Sequence, residues 1–199
     1  MFNFVLLLVN KNIFILNQFH HYRFSVSWSR IIPNISMTVN QKGLDYYSRL
    51  VDELIANNIE PIITLYHWDL PQYLQDLGGF TDPMIVKHFE YFADVLYKAF
   101  GGRVKKWITF NEPWNFCVDG YGTGKVPPQI ISNGIGEYLC SHYMLQSHSA
   151  AYHLYKNKYL SEQKGLVGIT LIVDGYLPKN RSIVENEDTH KAQEFRVSI

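Results

Sequence analysis

Lys106-Trp107-Ile108-Thr109-Phe110-Asn111-Glu112-Pro113-Trp114 decides the fold. Aromatic and β-branched residues from Trp107 to Phe110 favour an extended, buried strand, and Pro113 cannot continue its hydrogen-bond ladder. The strand therefore stops at an Asn-Glu pair. A carboxyl group at a strand end, with aromatic neighbours on both sides, is placed to titrate abnormally and to move protons.

Working outward, the same grammar repeats. Tyr22–Trp28 reads as a strand by alternation, Glu60–Tyr66 by its run of β-formers, and Leu166–Ile172 as a fourth strand. Asn40 is placed to cap a helix running to about Asn57, with Leu44, Tyr47, Val51, Leu54 and Ile55 as its apolar stripe. Asp82-Pro83 reads as an N-cap followed by the first helical residue. The helix it opens carries Val86, Phe89, Ala93, Leu96 and Phe100, and Gly101-Gly102 closes it. A glycine-rich loop spans residues 120–136. The spacing then predicts a long helix with Tyr138, Leu145, Tyr152 and Tyr155 inward, broken at Gly165, and a last helix starting near Thr189.

Strand and helix alternate with no hairpin signal, so the expected sheet is parallel with helices covering it. Half of an eight-fold barrel and a small doubly wound sheet both satisfy that pattern. No Gly-x-Gly-x-x-Gly or phosphate-loop sequence follows any strand, which disfavours a nucleotide-binding version. The chemistry-bearing side chains gather at strand C-terminal ends: Trp28, His67-Trp68 and Asn111-Glu112. Barrel active sites are built there. The expected class is α/β, a partial (β/α)8 TIM barrel; a complete one takes about 250 residues, against 199 here.

Composition narrows the function classes. Eighteen basic residues balance eighteen acidic ones, which leaves no electrostatic footprint for nucleic acid or an anionic membrane surface. No apolar run reaches the length of a membrane span. The eight histidines and two cysteines show no metal-ligand spacing. Cys117 and Cys140 are read as two buried free thiols, although a pairing is open to them. Residues 1–21 are atypical: two apolar runs with no basic residue before Lys11 and no small-residue cleavage site, so they do not read as a working signal peptide.

Several stretches, in order, resemble glycoside hydrolase family 1, the β-glucosidase and myrosinase-like enzymes of the insect type. They are Tyr22-Arg23-Phe24-Ser25-Val26-Ser27-Trp28-Ser29-Arg30, Gly43-Leu44-Asp45-Tyr46-Tyr47, Tyr66-His67-Trp68-Asp69-Leu70-Pro71 with Gly78-Gly79-Phe80, Thr109-Phe110-Asn111-Glu112-Pro113, and Gly120-Tyr121-Gly122-Thr123-Gly124. The resemblance implies barrel strands two to five, with 22–199 an incomplete barrel domain. It implies Glu112 as the general acid/base, which protonates the departing glycosidic oxygen and later activates water. Plant myrosinases carry Gln there; Glu favours ordinary glycosidase chemistry. Asn111 would donate its amide to the sugar 2-hydroxyl, and His67 would bond the 3-hydroxyl. Trp68 and Trp114 would be aromatic walls of the substrate site, Trp114 beside the aglycone. Arg23 would point at the nucleophile and support its charge; without that nucleophile it is expected to be a buried cation lacking its partner. No cofactor is implied, and the partner is a small-molecule β-glycoside.

The resemblance also shows a gap. A retaining glycosidase needs a second carboxyl group, about 5–5.5 Å from the first. The family places it in an Ile/Val-Thr-Glu-Asn-Gly strand. Ile183-Val184-Glu185-Asn186-Glu187 lacks the Thr and the Gly, so Glu185 is read as part of a polar loop at Asn180–Asp188. The expected chain is a β-glycosidase fragment without its nucleophile. The competing expectation is a non-catalytic half-barrel that binds a glycoside or a partner. The family is often secreted or lysosomal, and Asn34-Ile35-Ser36 and Asn180-Arg181-Ser182 are acceptor-type sequons, but the residues leave the compartment open.

Overall fold

The computed structural model describes residues 19–172 together with Glu187 and Lys191. Most of the atypical N-terminal segment, the Glu185 loop, the Asn180 sequon and the body of the helix expected from Thr189 lie outside the described residues.

Four parallel strands lie side by side in chain order: β1 (His21–Ser25), β2 (Glu60–Tyr66), β3 (Lys106–Asn111) and β4 (Leu166–Thr170). Each connection crosses over through helix, as parallel pairing requires. After β1 come α1 (Trp28–Ile31) and α2 (Gln41–Ala56); after β2, α3 (Gln72–Gln75) and α4 (Met84–Phe100). After β3 come α5 (Pro113–Cys117), a π-helical turn, α6 (Gly136–Leu154), a second π-helical turn and α7 (Leu160–Gln163).

The helix starts and close contacts follow from single residues. Asp82 Oδ1 accepts the Met84 N–H at 2.8 Å, the N-cap bond that its position before Pro83 implies. Asn40 makes no capping bond to α2. Its side-chain amide instead donates to the Arg30 carbonyl at 2.9 Å, tying α2 to α1. A Cβ at Gly43 would sit 2.3 Å from that same carbonyl, so the glycine of the Gly43–Tyr47 stretch exists for this close approach.

The core lies between the sheet and the helices, and aromatic rings fill it. Trp28 stacks on Phe92 with ring centroids 4.7 Å apart, and Phe110 stacks on Phe89 at 4.3 Å. Tyr66, Phe80, Phe116 and Tyr121 close the cluster toward the strand C-terminal ends. Most of the aromatic excess is thus packing. The other sheet face carries polar and charged side chains beside Ile62 and Ile108. Near the strand starts, His21 and Lys106 both meet the Glu60 carboxylate, at 2.9 and 2.8 Å. Near the strand ends, Arg23 reaches Thr64 and Asn111.

Three expectations fail here. Cys117 and Cys140 are joined in a disulfide, with Cα atoms 5.5 Å apart, so they are not free thiols. It clips α5 to α6. The long helix also buries a different stripe: Cys140, Met144, Ser147 and Ala151, continued by Tyr155 beyond its end. Tyr138, Leu145 and Tyr152 are exposed. The cause is geometric. Those three repeat every seven residues along one line of the helix, and small or sulfur-bearing side chains on another line let α6 approach α4 and the sheet more closely. Ile55, expected in the α2 stripe, is exposed as well, and Leu50 takes its place.

Candidate active site

The C-terminal ends of β1, β2 and β3 bring together most of the residues singled out in the sequence. At the end of β3 a bulge does the placing. Ile108 pairs with Gly168 and Asn111 with Thr170, so β3 takes one residue more than β4 over the same span. Thr109 faces α6, where its hydroxyl meets His148 Nδ1 at 2.8 Å, and Phe110 faces α4. Two successive residues thus serve the helix side, and Asn111 swings to the polar face. A bulge re-aims side chains in this way.

Asn111 is buried, and its Oδ1 accepts from Arg23 Nη2 at 2.5 Å. A guanidinium can only donate, so the contact fixes which end of the amide is oxygen and turns the NH2 away from Arg23. Arg23 Nε also donates to Thr64 Oγ1 at 2.9 Å. Arg23 is therefore not a buried cation lacking a partner: it is exposed and held by two neighbouring strands. Trp68, with φ of 70°, turns its indole N–H onto the Asn111 carbonyl at 2.8 Å. Its ring lies between His67 and Phe116. The ends of β2 and β3 are locked together through that bond.

Glu112 follows directly. Its N–H donates to the Thr170 carbonyl at 2.8 Å, carrying the ladder one step past β3. Its backbone is left-handed, φ 48° and ψ 64°. Pro113 then starts α5, and the Glu112 side chain makes no capping bond to that helix. Its carboxylate is half-buried and not used in ending the strand or starting the helix. His67 is exposed at the rim beside it. Partial burial and the Arg23 charge hold its pKa below the usual histidine value, while the Glu112 charge acts in the opposite sense. Trp114 stands partly exposed on the first turn of α5. Trp28 is not at the rim at all: the strand stops at Ser25, and Trp28 opens α1 with its ring buried in the core.

This rim thus gathers an amide, an imidazole, a carboxyl group and two indole rings at neighbouring strand ends. Among the described residues, no cluster of His, Cys, Asp or Glu could hold a metal ion, and no helix is long and apolar enough to cross a membrane.

The profile of Glycosyl hydrolase family 1 matches residues 9–199. The chain belongs to that family. Lactase/phlorizin hydrolase of Rattus norvegicus is 49% identical over 160 residues, 80% of this chain and 8% of that protein. β-Glucosidase 12 of Oryza sativa subsp. indica is 43% identical over 188 residues, 87% of this chain and 37% of that one. Among solved structures, aphid myrosinase superposes with a TM-score of 0.84 at 40% identity, covering 94% of this chain and 41% of its own. A β-glucosidase from the fungus Humicola insolens, in complex with glucose, does so at 0.83 and 37%, covering 94% and 42%. The chain thus spans about two-fifths of these β-glucosidase and myrosinase relatives. Its four parallel strands and the helices that connect them are part of the family 1 (β/α)8 barrel.

Two residues of this family 1 rim escape sequence reasoning. Thr64 is the second anchor of Arg23; its signal is a polar residue between the apolar Ile63 and Leu65. Asp69, read as scaffold, titrates at about 6, because burial of its carboxyl outweighs the backbone N–H groups of Asp69 and His67, the Ser27 hydroxyl and the Arg30 charge. The residue keeps an exposed edge, and the direction of the shift follows from where its carboxyl points, toward Ser27 and Arg30. Only the assembled loops create that environment.

Proposed function

We propose that this chain supplies the acid/base half of a retaining β-glycosidase acting on O- or S-linked β-glycosides. One observation carries the reading. Glu112 directly follows β3 with a carboxylate not used by the helix it precedes, next to an Asn111 amide whose orientation Arg23 fixes. Glu112 protonates the leaving oxygen and then takes a proton from water. The Asn111 NH2 and His67 bind the glycone hydroxyls. Trp114 flanks the aglycone. Trp68 contributes one ring edge and, through its N–H, holds Asn111 in place. Arg23 orients Asn111 and lends positive charge beside the nucleophile. The relatives named as β-glucosidases, and the glucose complex of one of them, support the substrate class. No cofactor is needed for this chemistry.

The described strands end in a single glutamate, and a retaining mechanism uses two carboxyl groups. The nucleophile is assigned to barrel strands other than these four, and the 199-residue chain by itself is assigned a binding role without turnover. The test uses the complete barrel. Glu112→Gln keeps size and polarity but cannot donate a carboxyl proton. Hydrolysis of glycosides with poor leaving groups falls by at least about a hundredfold, the lower range for loss of general acid catalysis. Activated aryl glycosides lose less in the first step, and azide restores the second. Equal losses on both substrate types would remove Glu112 from the acid/base role.

A further inference from the structure

We infer that Asn34 is a site of N-linked glycosylation, and that the chain matures in an oxidising secretory compartment. Asn34-Ile35-Ser36 is an acceptor triplet with no proline at its centre. Such triplets occur by chance, so the argument rests on where the fold puts this one. It lies on the β1–α2 connection, in an excursion whose base is closed by the Asn40 N–H on the Ile31 carbonyl at 2.8 Å. Asn34, Ile35 and Ser36 are all exposed, Ile35 by 60%. An oligosaccharide on Asn34 therefore points into solvent and displaces no core contact. The Asn34 carbonyl accepts the Met37 N–H at 3.1 Å, so the turn is closed by backbone and the side chain is not needed to hold it.

The Ser36 hydroxyl donates to Asn34 Oδ1 at 2.5 Å. That bond engages the amide oxygen rather than the nitrogen, and it couples the serine of the triplet to the amide that reacts. In the transfer, Asn34 Nδ2 attacks the anomeric carbon of a polyprenyl-diphosphate-linked oligosaccharide. The bond from that carbon to the diphosphate oxygen breaks, the diphosphate leaves with the electron pair, and Nδ2 loses one proton. The host's oligosaccharide transferase catalyses the step; the chain supplies only the acceptor.

The second, independent observation is the Cys117–Cys140 disulfide, which joins two wholly buried sulfurs on a different part of the chain. Disulfides persist in oxidising compartments and are rare in cytosolic proteins. The compartment that closes this bond is the one in which sequons are glycosylated. Neither observation depends on the catalytic reading of Glu112.

The test is peptide mapping of the protein isolated from its own tissue. Enzymatic release of N-glycans in 18O-labelled water converts a glycosylated Asn34 to labelled Asp, and the same digest shows whether Cys117 and Cys140 are linked. The Asn180 triplet falls on a separate peptide and is scored alone. Label at Asn34 with the cysteines linked is the expected result. In a secretory host, Asn34→Gln and Ser36→Ala lose this glycan and Ser36→Thr keeps it. An unlabelled Asn34 overturns the proposal, whether the cysteines are linked, free, or accompanied by label at Asn180 only.

Discussion

Glu112 occupies a backbone conformation that an L-residue with a Cβ avoids, at a cost of roughly 1–2 kcal/mol. Strain of this kind collects at functional sites, where the surrounding structure over-determines it. Here the Thr170 carbonyl, Pro113 and the Trp68 bond to Asn111 hold the turn from three sides. The consequence is measurable. Glu112→Gly relieves the left-handed strain and Glu112→Ala keeps it, so the Gly variant is the more stable of the two by about 1 kcal/mol, after allowing for the extra chain entropy of glycine. Denaturant titration of both variants checks this, and an Ala variant at least as stable as the Gly one would contradict the strain. Asp69 gives a second prediction at the same scale. Its pKa rises from the ordinary 3.8 to about 6 in the folded chain, so the folded state holds the proton more tightly than the unfolded one. The stability tied to this group is complete below the unfolded value and is lost as pH climbs through the folded one. Asp69→Asn imitates the protonated form. Its stability relative to the parent therefore rises between about pH 4 and pH 6, and equal pH slopes for the two proteins over that window would show that the carboxyl is not desolvated.

At the scale of elements, the disulfide is the feature with the largest expected effect. It closes a loop between residues 23 apart in sequence, joining α5, which directly follows Glu112, to α6. Replacing both cysteines with serine costs about 3 kcal/mol by loop-closure entropy, read as a lower denaturant midpoint that added reductant does not change further. The parent chain should fall to a similar midpoint once reduced. Strand identity was legible in the sequence because each strand is a short run of β-formers between turn residues. The two helices with periodic apolar positions, α2 and α4, were largely legible for the same kind of reason. Helix α6 was not. Its buried line is Cys140, Met144, Ser147 and Ala151, a set with little hydrophobic contrast, whereas its exposed line carries Tyr138, Leu145 and Tyr152. Period alone cannot rank two such lines. The end of β1 was overrun for a related reason: Trp28 continues the strand's alternation in sequence, but packs as the first residue of α1. Glu112, Asn111, His67 and Trp68 were legible as a set because they follow strand ends. The bulge that aims Asn111, the Thr64 anchor and the Asp69 environment depend on pairing between strands distant in sequence.

At the scale of the molecule, the described residues carry several exposed large apolar side chains. Tyr138 and Leu145 on α6 are 72% and 57% exposed, and Leu166 and Leu171 at the β4 side are 72% and 64% exposed. Patches of this kind on an isolated unit draw association, and an open strand edge adds a hydrogen-bonding template for it. On the proposed function, contacts that tighten in the transition state come from all around a barrel rim, and the four described strands supply only part of them. The 199-residue chain by itself is therefore expected to bind an apolar dye, to associate with increasing concentration, and to leave an aryl β-glucoside intact. Joined to the remaining βα units of a family 1 barrel, the same residues should give a soluble protein that turns the glucoside over and loses that activity in Glu112→Gln. Sedimentation, dye fluorescence and release of the aryl group read the two preparations side by side. A stable monomer of the 199-residue chain that releases the aryl group, and stops doing so in Glu185→Ala, would make Glu185 the nucleophile and overturn the assignment of that role to other strands.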